Sequence, residues 1–350
     1  MNMVLHTKMK KHALYIIIFL ISCDKNDYND YEHSNINCDN PTNTSQDYTG
    51  TCCPTEELDC NNLCYGFDFT SCRPCNDPEA INYVEGSLDN NNCIYESIDE
   101  QWEVSWNDEF NTETLDNYKW VHQLGTGSQY GLVGWGNDEV QYYTNETINL
   151  NINPCDNDKN CLFISAYKQD HEGSEYTSSR IRSVQSQAYG KIEIRAKLPI
   201  AHGTWPAFWM LPQSPSSGWP ASGEIDIMEH VGCSTGSIHG SIHCTDYNHQ
   251  DGTEQTGALS NIDVNQFHVY GIEWDQNSIK WYIDGNQYFQ YNKEVDASID
   301  SWPFDDNFYL ILNLAIGGDW GTLGGSCPID YNSFPQTMEI DYVRIFNKID

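Results

Sequence analysis

The sequence predicts an all-β fold, a β-sandwich or barrel, for roughly its last 250 residues. Short alternating runs rich in Trp, Tyr, Val, Ile and Thr are bounded by Gly, Asn and Asp, without a convincing long helical pattern. An Asp284-Gly285 pair between two such runs is the signature of a tight hairpin. A region of this size and pattern is typical of one sandwich domain rather than two. The clearest predicted strands are Lys191–Leu198, Phe267–Trp274, Ser278–Ile283 and Phe308–Leu314.

The first residues, 1–22, have the pattern of an export signal. Lysines precede an apolar run from Ala13 to Ile21, which is too short to remain in a bilayer as a spanning helix. The run ends in Leu-Ile-Ser-Cys, which resembles a bacterial lipobox and implies lipidation of Cys23. Residues 23–37 are then expected to form an acidic tether without a core. This predicts an exported bacterial lipoprotein, anchored to a membrane at the cell surface or outer membrane. The alternative is an ordinary secreted protein with a cysteine there by chance.

Residues 38–97 form a separate cysteine-rich segment. An even set of cysteines in a short exported segment favours a disulfide-stapled module over a metal site, because histidine is nearly absent here. The part from Cys75 to Tyr95 resembles a small Cys-Asp-Pro-Ala-Asn-Tyr repeat of bacterial surface proteins. We favour a spacer over a weak binding module. The cysteines are Cys38, Cys52, Cys53, Cys60, Cys64, Cys72, Cys75 and Cys93.

The remaining cysteines lie in the C-terminal region. Cys155 and Cys161 flank a short Asp/Asn loop and are expected to close it as a disulfide. Cys233 and Cys244 belong to the loop and the far end of one predicted hairpin, which argues against their pairing with each other. A disulfide between Cys244 and Cys327 is the other pairing considered, and one thiol then stays free. No cysteine sits in an activating histidine context, so none is expected to be catalytic.

The segment Gly-Glu-Ile-Asp-Ile-Met-Glu-His carries three carboxylates on an apolar strand. Side chains of a strand alternate between its faces, so Glu224 and Asp226 share one face and Glu229 falls on the other. A β-bulge at Ile227 and Met228 would return Glu229 to the side of the other two acids. The sequence therefore predicts a row of three acids facing one cleft, with isoleucines packed behind them.

Such a row suits the cleavage of glycosides. A retaining glycosidase needs one carboxylate to attack the anomeric carbon and one carboxylic acid, roughly 5–5.5 Å away, to protonate the leaving oxygen. We assign Glu224 as the nucleophile and Glu229 as the general acid/base. Asp226 would repel a second negative charge and so help to keep Glu229 protonated. A solvated acidic strand edge or a set of calcium ligands is the alternative, and the apolar residues between the acids argue against it.

Further motifs surround the acidic strand. They are Trp106–Phe110, Gly134–Tyr143, Tyr176–Ser183, Tyr189–Leu198, Gly203–Pro212, Ile238–His243, Leu312–Gly318 and Ile340–Phe346. With the acidic strand, these motifs resemble the laminarinase-like branch of glycoside hydrolase family 16, in the right order over about residues 100–350. The resemblance implies that residues 98–350 form a β-sandwich jelly roll of two curved antiparallel sheets. The substrate would lie across the concave sheet.

Aromatic side chains near the acids are candidate sugar subsites, because the apolar faces of sugars pack on indole rings. Trp219 and Trp320 are the first candidates. Trp205 and Trp209 alternate on one strand and could face either the cleft or the core. Arg180 and Asn137 would hydrogen-bond sugar hydroxyls. His243 matches a family position near the leaving group. The alternative for His243 is a structural role at a strand end.

The formal net charge of −34 argues against nucleic acid and anionic lipid headgroups as partners. A neutral β-glucan is an easier partner than a sulfated or uronic polymer. No histidine or cysteine cluster suits zinc or iron, and hydrolysis by two carboxylates needs no cofactor. The family resemblance implies a structural calcium ion with Asp341 among its ligands; Asp341 is alternatively an exposed strand acid. A monomer is expected.

These features together predict a retaining endo-β-1,3-glucanase that cleaves internal bonds of laminarin-like glucans. The alternative enzyme has the same fold and acts on mixed-linkage β-glucan or on a red-algal galactan. The alternative from another class is a carbohydrate-binding or adhesion protein that has lost activity. Binding alone does not require two closely spaced acids, so the intact acidic row argues against this last possibility.

Overall fold

The structure is a computed structural model. It describes residues 44–46, 52–54, 101–155, 159–215 and 217–349. The chain divides into two compact units, Met1–Pro74 and Cys75–Asp350. In the first unit, β1 (Thr44–Gln46) pairs with β2 (Cys52–Pro54) in an antiparallel ladder.

The signal peptide, the lipidation site at Cys23 and the tether lie outside the described residues, and so does nearly all of the cysteine-rich module. These features stay predictions. Within the described part of the chain, no helix is both long enough and apolar enough to cross a membrane.

The second unit consists mainly of β-strands. The strands are β3 (Trp102–Asp108), β4 (Trp120–His122), β5 (Gln141–Tyr143), β6 (Leu150–Pro154), β7 (Asn160–His171), β8 (Ser174–Ser178), β9 (Arg180–Gln187), β10 (Gly190–Lys197), β11 (Thr204–Pro212), β12 (Glu224–His230), β13 (Ile238–His243), β14 (Gln255–Leu259), β15 (His268–Trp274), β16 (Ser278–Ile283), β17 (Asn286–Asn292), β18 (Phe308–Ile316) and β19 (Gln336–Lys348). Among the described residues of this unit, the helical elements are one short α-helix, α1 (Gly318–Gly321), and 3-10 turns at Ser128–Tyr130, Val133–Gly136, Gly232–Ser234 and Tyr331–Ser333.

These strands form two sheets. The ten-stranded sheet has the order β17-β16-β15-β10-β19-β7-β8-β5, with β3 added beside β19 and β6 beside β7. The seven-stranded sheet has the order β14-β13-β12-β11-β18-β9-β4. The pairings are antiparallel except between β5 and β8, which run parallel at the edge of the larger sheet. Strand β5 reaches that edge by a long loop after β4, so no hairpin turn fixes its direction.

The core lies between the two sheets, as the alternation along β10 shows. Ile192, Ile194 and Ala196 are fully buried, whereas the residues between them are partly exposed. This period of two is expected for a strand with one face on the core and one face in solvent. The predicted β-sandwich jelly roll is therefore confirmed for residues 101–349.

The predicted hairpin with an Asp-Gly turn is also confirmed. It joins β16 to β17, and both turn residues have positive φ, 49° for Asp284 and 75° for Gly285. Two positive φ angles are the requirement of a type I′ turn, whose twist matches that of the flanking strands. The four strands singled out in the sequence form within two residues of their predicted ends.

The disulfide prediction was right in one case and wrong in the other. Cys155 and Cys161 are bonded to each other, as expected. Cys327 pairs with Cys233 rather than with Cys244. The turn after β12 carries Cys233 to a Cα–Cα distance of 6.0 Å from Cys327, within the range that a disulfide spans. Cys244 follows the opposite end of β13 and stays a buried free thiol.

Candidate active site

The acidic strand β12 lies near the middle of the seven-stranded sheet, between β11 and β13. Along the pair with β13, Asp226 is opposite Ser241 and Glu229 is opposite His239. Two residues of β12 between these pairs therefore stand against a single residue of β13, Gly240. This count defines a β-bulge, so the bulge predicted from the acid spacing is confirmed.

The bulge separates acids from apolar residues. The side chains of Ile225, Ile227 and Met228 are buried in the core. The acids lie on the other side of the strand and are only slightly exposed, with 15% of the Glu224 side chain and 3% of the Asp226 side chain accessible to solvent. The sequence folds in this way because both isoleucines and the methionine can enter the core only if Glu229 is returned to the cleft.

Indole and imidazole groups contact each acid of the row. Trp219 Nε1 donates a hydrogen bond to Glu224 Oε2 at 2.9 Å, and Trp205 Nε1 donates to Glu229 Oε1 at 3.0 Å. His243 Nε2 lies 3.2 Å from Asp226 Oδ2 and 3.9 Å from Glu224 Oε1. The structure therefore brings together the three predicted catalytic acids and three of the predicted binding residues.

Burial raises the pKa of all three acids, and repulsion by Asp226 raises the pKa of Glu224 and Glu229 further. Burial, and then the negative charge of Asp226, raise the pKa of Glu229 to about 8. Burial raises the pKa of Asp226 to about 8, although a hydrogen bond with Glu224 opposes this. The pKa of Glu224 is also raised well above its usual range, first by burial and then by Asp226, while His243 and the Trp219 N–H lower it. Three negative charges are therefore unfavourable here at neutral pH, and the row retains protons.

Retained protons are what the predicted chemistry requires. The general acid must hold a proton at neutral pH, and the raised pKa of Glu229 allows this. The nucleophile must be an anion. Glu224 has both an indole donor and the His243 imidazole beside it, and both oppose the rise of its pKa and so favour its anion.

The predicted tryptophans line two parts of the cleft. On one side, the ring of Trp320 on α1 stands edge-on to Trp205 at 5.4 Å between centroids, and also contacts His239. On the other side, Trp219 packs against His243 and, at 5.1 Å, against His249. The sequence analysis did not identify His249 as a candidate site residue, because an exposed histidine in a loop belongs to no distinguishing sequence pattern.

Arg180 and Trp209 belong to a third cluster, further along the sheet. The guanidinium carbon of Arg180 lies 4.3 Å from the ring centroid of Trp135 and 4.6 Å from that of Trp209. Arg180 Nε donates to Gln123 Oε1 at 2.8 Å. Trp209 Nε1 donates to Asn313 Oδ1 at 2.7 Å. Trp205 and Trp209 are both half-buried, and both indole N–H groups bond to polar side chains. Both tryptophans therefore face the cleft and not the core.

Asn137 lies beside an acid that sequence reasoning did not single out. Glu139 accepts hydrogen bonds from Gln141 Nε2 at 2.6 Å, from the Tyr143 hydroxyl at 3.2 Å and from Asn137 Nδ2 at 3.4 Å. Burial raises the pKa of Glu139, and Arg180 opposes this. The sequence signal that could have identified Glu139 was the polar motif Gly134–Tyr143, from which only Asn137 was selected as a candidate binding residue.

Asp341 does not lie in a group of metal-binding side chains. One carboxylate oxygen forms an ion pair with Arg195. In residues 101–349 as described, the one group of three His, Cys, Asp or Glu side chains close enough for a metal is Glu224, Asp226 and His243, in the cleft. A calcium ion at Asp341 would have to compete with the guanidinium, so the side chains present do not fit the predicted calcium site well. Asp341 is also buried, which excludes the exposed strand acid considered as the alternative.

Comparison with known proteins agrees with this geometry. The model of the family described as "Glycosyl hydrolases family 16" matches residues 128–333. A beta-glucanase from Rhodothermus marinus is 41% identical over 261 residues, which are 71% of this chain and 86% of that protein. Glucan endo-1,3-beta-glucosidase A1 from Niallia circulans is 38% identical over 264 residues, and the match covers 69% of this chain and 37% of that longer protein.

The fold agrees as well. The X-ray structure of the laminarinase from Rhodothermus marinus superimposes with a TM-score of 0.65 and 39% sequence identity. The match covers 71% of this chain and 98% of that structure. Family model, sequence and fold thus coincide on the unit that carries the three acids. This chain belongs to glycoside hydrolase family 16 and is a glycoside hydrolase.

Proposed function

We propose that the chain is a retaining endo-β-1,3-glucanase that hydrolyses internal bonds of β-glucans. The observation that carries the proposal is the bulged row of three slightly exposed acids, of which the outer two each accept a hydrogen bond from an indole. Relatives with a family 16 fold whose names specify β-glucanase, endo-1,3-β-glucosidase or laminarinase activity support the substrate class.

The reaction proceeds in two displacements at the row of acids. In the first, the Glu224 carboxylate attacks the anomeric carbon while Glu229 gives its proton to the leaving oxygen. A glycosyl ester on Glu224 results, and the released chain end departs. In the second, Glu229 takes a proton from a water molecule that attacks the same carbon and frees Glu224. Two inversions restore the original β configuration.

Asp226 acts between the two catalytic acids. Its negative charge would make ionisation of Glu229 unfavourable until the proton is needed by the leaving group. When Glu224 becomes a neutral ester, one negative charge leaves the row. The pKa of Glu229 then falls relative to that in the free enzyme, which suits its change of role from acid to base.

The aromatic side chains fit a neutral sugar polymer. Trp219 on one side of the acids and Trp205 with Trp320 on the other supply the indole surfaces on which sugar faces pack. Arg180 and Asn137 are the proposed polar contacts. Arg180 would donate to sugar hydroxyls, and Asn137 would do so with its second amide N–H, since the first is bonded to Glu139.

The test of this function is product analysis with the full chain on laminarin, mixed-linkage β-glucan and agarose. The proposal predicts a ladder of short oligosaccharides from laminarin, which is the pattern of internal cleavage. Products from agarose alone would keep the mechanism and move the substrate to galactans. A folded protein that releases nothing from the three polymers, but binds laminarin, would favour the carbohydrate-binding alternative.

The location of the protein and its further parts are proposed from the sequence. We infer a lipid on Cys23, an acidic tether, a disulfide-stapled spacer at residues 38–97 and a monomeric catalytic unit from residue 98 onward. The basis is the apolar segment ending in Leu-Ile-Ser-Cys and the even cysteine number. Labelling of cells with a palmitate analogue should mark the wild type and fail to mark Cys23→Ser.

A further inference from the structure

The catalytic bulge is contacted from the opposite sheet. Trp281 lies on β16 of the ten-stranded sheet and its side chain is fully buried. The indole Nε1 donates a hydrogen bond to the backbone carbonyl of Asp226 at 2.7 Å. This bond crosses the core and ends at the residue where the register of β12 shifts.

A glycine makes this contact possible. Gly240 is the single residue of β13 that stands against the bulge. A Cβ atom at this position would lie 2.3 Å from Trp281 Cδ1 and 2.7 Å from the Tyr288 hydroxyl oxygen. Both distances are far below van der Waals contact, so any side chain at position 240 would displace the indole. Space, and not an unusual backbone angle, is therefore what requires a glycine here.

The bulge is what places the general acid. Without the extra residue, the alternation of the strand would turn Glu229 toward the core and Met228 toward the cleft. A bulge interrupts the regular hydrogen bonds between strands, so a local donor to its backbone favours one geometry over its alternatives. Trp281 supplies that donor to Asp226, the acid next to the extra residues.

We propose that Trp281 is a positioning residue for the reaction, and that its indole N–H, admitted by Gly240, holds the bulge in the form that brings Glu229 into the catalytic row. The proposal rests on the proposed function, since this placement has a catalytic consequence only if the acids act as assigned. The competing interpretation is that Trp281 merely fills the core.

The chain offers a matched control for that interpretation. Trp274, on β15 of the same sheet, is also fully buried and also donates from Nε1 to a backbone carbonyl, that of Phe304 at 3.1 Å. Its acceptor lies outside the acidic strand. Replacing either tryptophan by phenylalanine removes one indole donor and leaves a similar void, so the comparison isolates the contact with the bulge.

The first measurement is steady-state kinetics on laminarin for Trp281→Phe and Trp274→Phe. Displacement of a catalytic group by a fraction of an ångström to 1 Å lowers kcat by about tenfold to a hundredfold, and this is expected for Trp281→Phe, with KM nearly unchanged. Trp274→Phe should lose thermal stability to a similar degree but keep its kcat. A benzothiophene analogue at position 281 keeps the bicyclic ring, removes only the N–H and should reproduce the loss of kcat.

A second measurement is the pH profile. The titratable groups that interact with Glu229 are Asp226 and Glu224 on its own strand, His243 on β13 and Tyr288 on β17. His239 lies opposite it in the pairing of β12 with β13. A bulge that is loosened but not lost increases the distance between Glu229 and Asp226, so the charge of Asp226 raises the pKa of Glu229 less. The basic limb of the kcat profile should therefore shift to lower pH in Trp281→Phe, a change that loss of core packing alone would not cause.

A third measurement does not depend on hydrolysis. Amide hydrogen exchange in β12 at the bulge should accelerate in Trp281→Phe and stay slow in Trp274→Phe. Equal exchange in the two variants, or an equal fall of kcat in both with unshifted pH limbs, overturns the proposal. If the wild type hydrolyses none of the polymers, the proposed function fails, but the exchange at the bulge still decides whether Trp281 holds it.

Discussion

Replacing Asp226 by asparagine should narrow the pH range in which the enzyme is active. Asp226 is nearly isosteric with asparagine, so the change mainly removes the negative charge that Asp226 gains as the pH rises toward its own pKa of about 8. Burial, followed by the charge of Asp226, raises the pKa of Glu229 to about 8. The substitution removes the second of these causes and leaves the first.

The expected shift follows from the size of such charge effects. A charge within about 4–6 Å changes a pKa by about 1–3 units, and we take about 1 unit, to a pKa of about 7, as the conservative case. The acid form of Glu229 is the active one, so activity is lost as the pH rises through this pKa. At pH 8, the protonated fraction falls from about a half to about a tenth, while at pH 6 Glu229 stays mostly protonated in both proteins.

The assay is kcat/KM on laminarin oligosaccharides between pH 4 and pH 10, since this ratio reports the pKa values of the free enzyme. Asp284→Asn is the control, because it removes a negative charge from an exposed site on the opposite sheet. The basic limb should move to lower pH in Asp226→Asn and stay in place in Asp284→Asn. A basic limb that is unchanged in Asp226→Asn would refute the assignment of Asp226 as the residue that tunes Glu229.

Glu229→Gln should lose activity on laminarin but keep its kcat/KM, which reports the first displacement, on aryl β-glycosides with acidic leaving groups, because these depart without a proton. An equal loss of kcat/KM on both substrates would contradict its role as general acid. Cys233→Ser should lower the unfolding free energy, measured by denaturant titration, by about 2–5 kcal/mol, because the disulfide joins residues with a sequence separation of 94. Cys244→Ser changes the buried free thiol and should lower the unfolding free energy much less. Arg180→Lys keeps the positive charge but loses the stacking of the flat guanidinium between two indoles. The unfolding free energy should therefore fall by about 1–2 kcal/mol, and the KM for laminarin should rise. An unchanged KM would show that Arg180 is not a binding residue.

The central part of the site could be predicted because it depends on local periodicity. The spacing of three acids among isoleucines has one arrangement that buries the apolar residues and exposes the acids, which is a bulge at Ile227 and Met228. The Asp284-Gly285 turn is equally local, because both residues tolerate positive φ and the flanking runs alternate.

Other features depend on which strands become neighbours, and one sequence does not specify this. The donor from Trp281 to the bulge joins β16 to β12, two strands of different sheets. The disulfide partner of Cys327 depends on which end of β13 lies close to it. That end is the turn before β13, which carries Cys233. Glu139 was missed because the charge that faces it, Arg180, comes from the distant strand β9. Its other partners, Gln141 and Tyr143, are close in sequence but do not by themselves mark an acid as part of the site.

The nucleophile can be identified directly by trapping the glycosyl-enzyme. A 2-fluoro-β-laminaribiosyl fluoride should glycosylate the enzyme quickly, with loss of fluoride, and release the sugar slowly, since fluorine at C2 destabilises both transition states while the fluoride leaving group favours the first step. After digestion with pepsin, mass spectrometry should find one laminaribiosyl adduct, on the peptide that contains Glu224 and on that residue. An adduct on Asp226 or Glu229, or no adduct on an enzyme that hydrolyses laminarin, would contradict a retaining mechanism with Glu224 as the nucleophile.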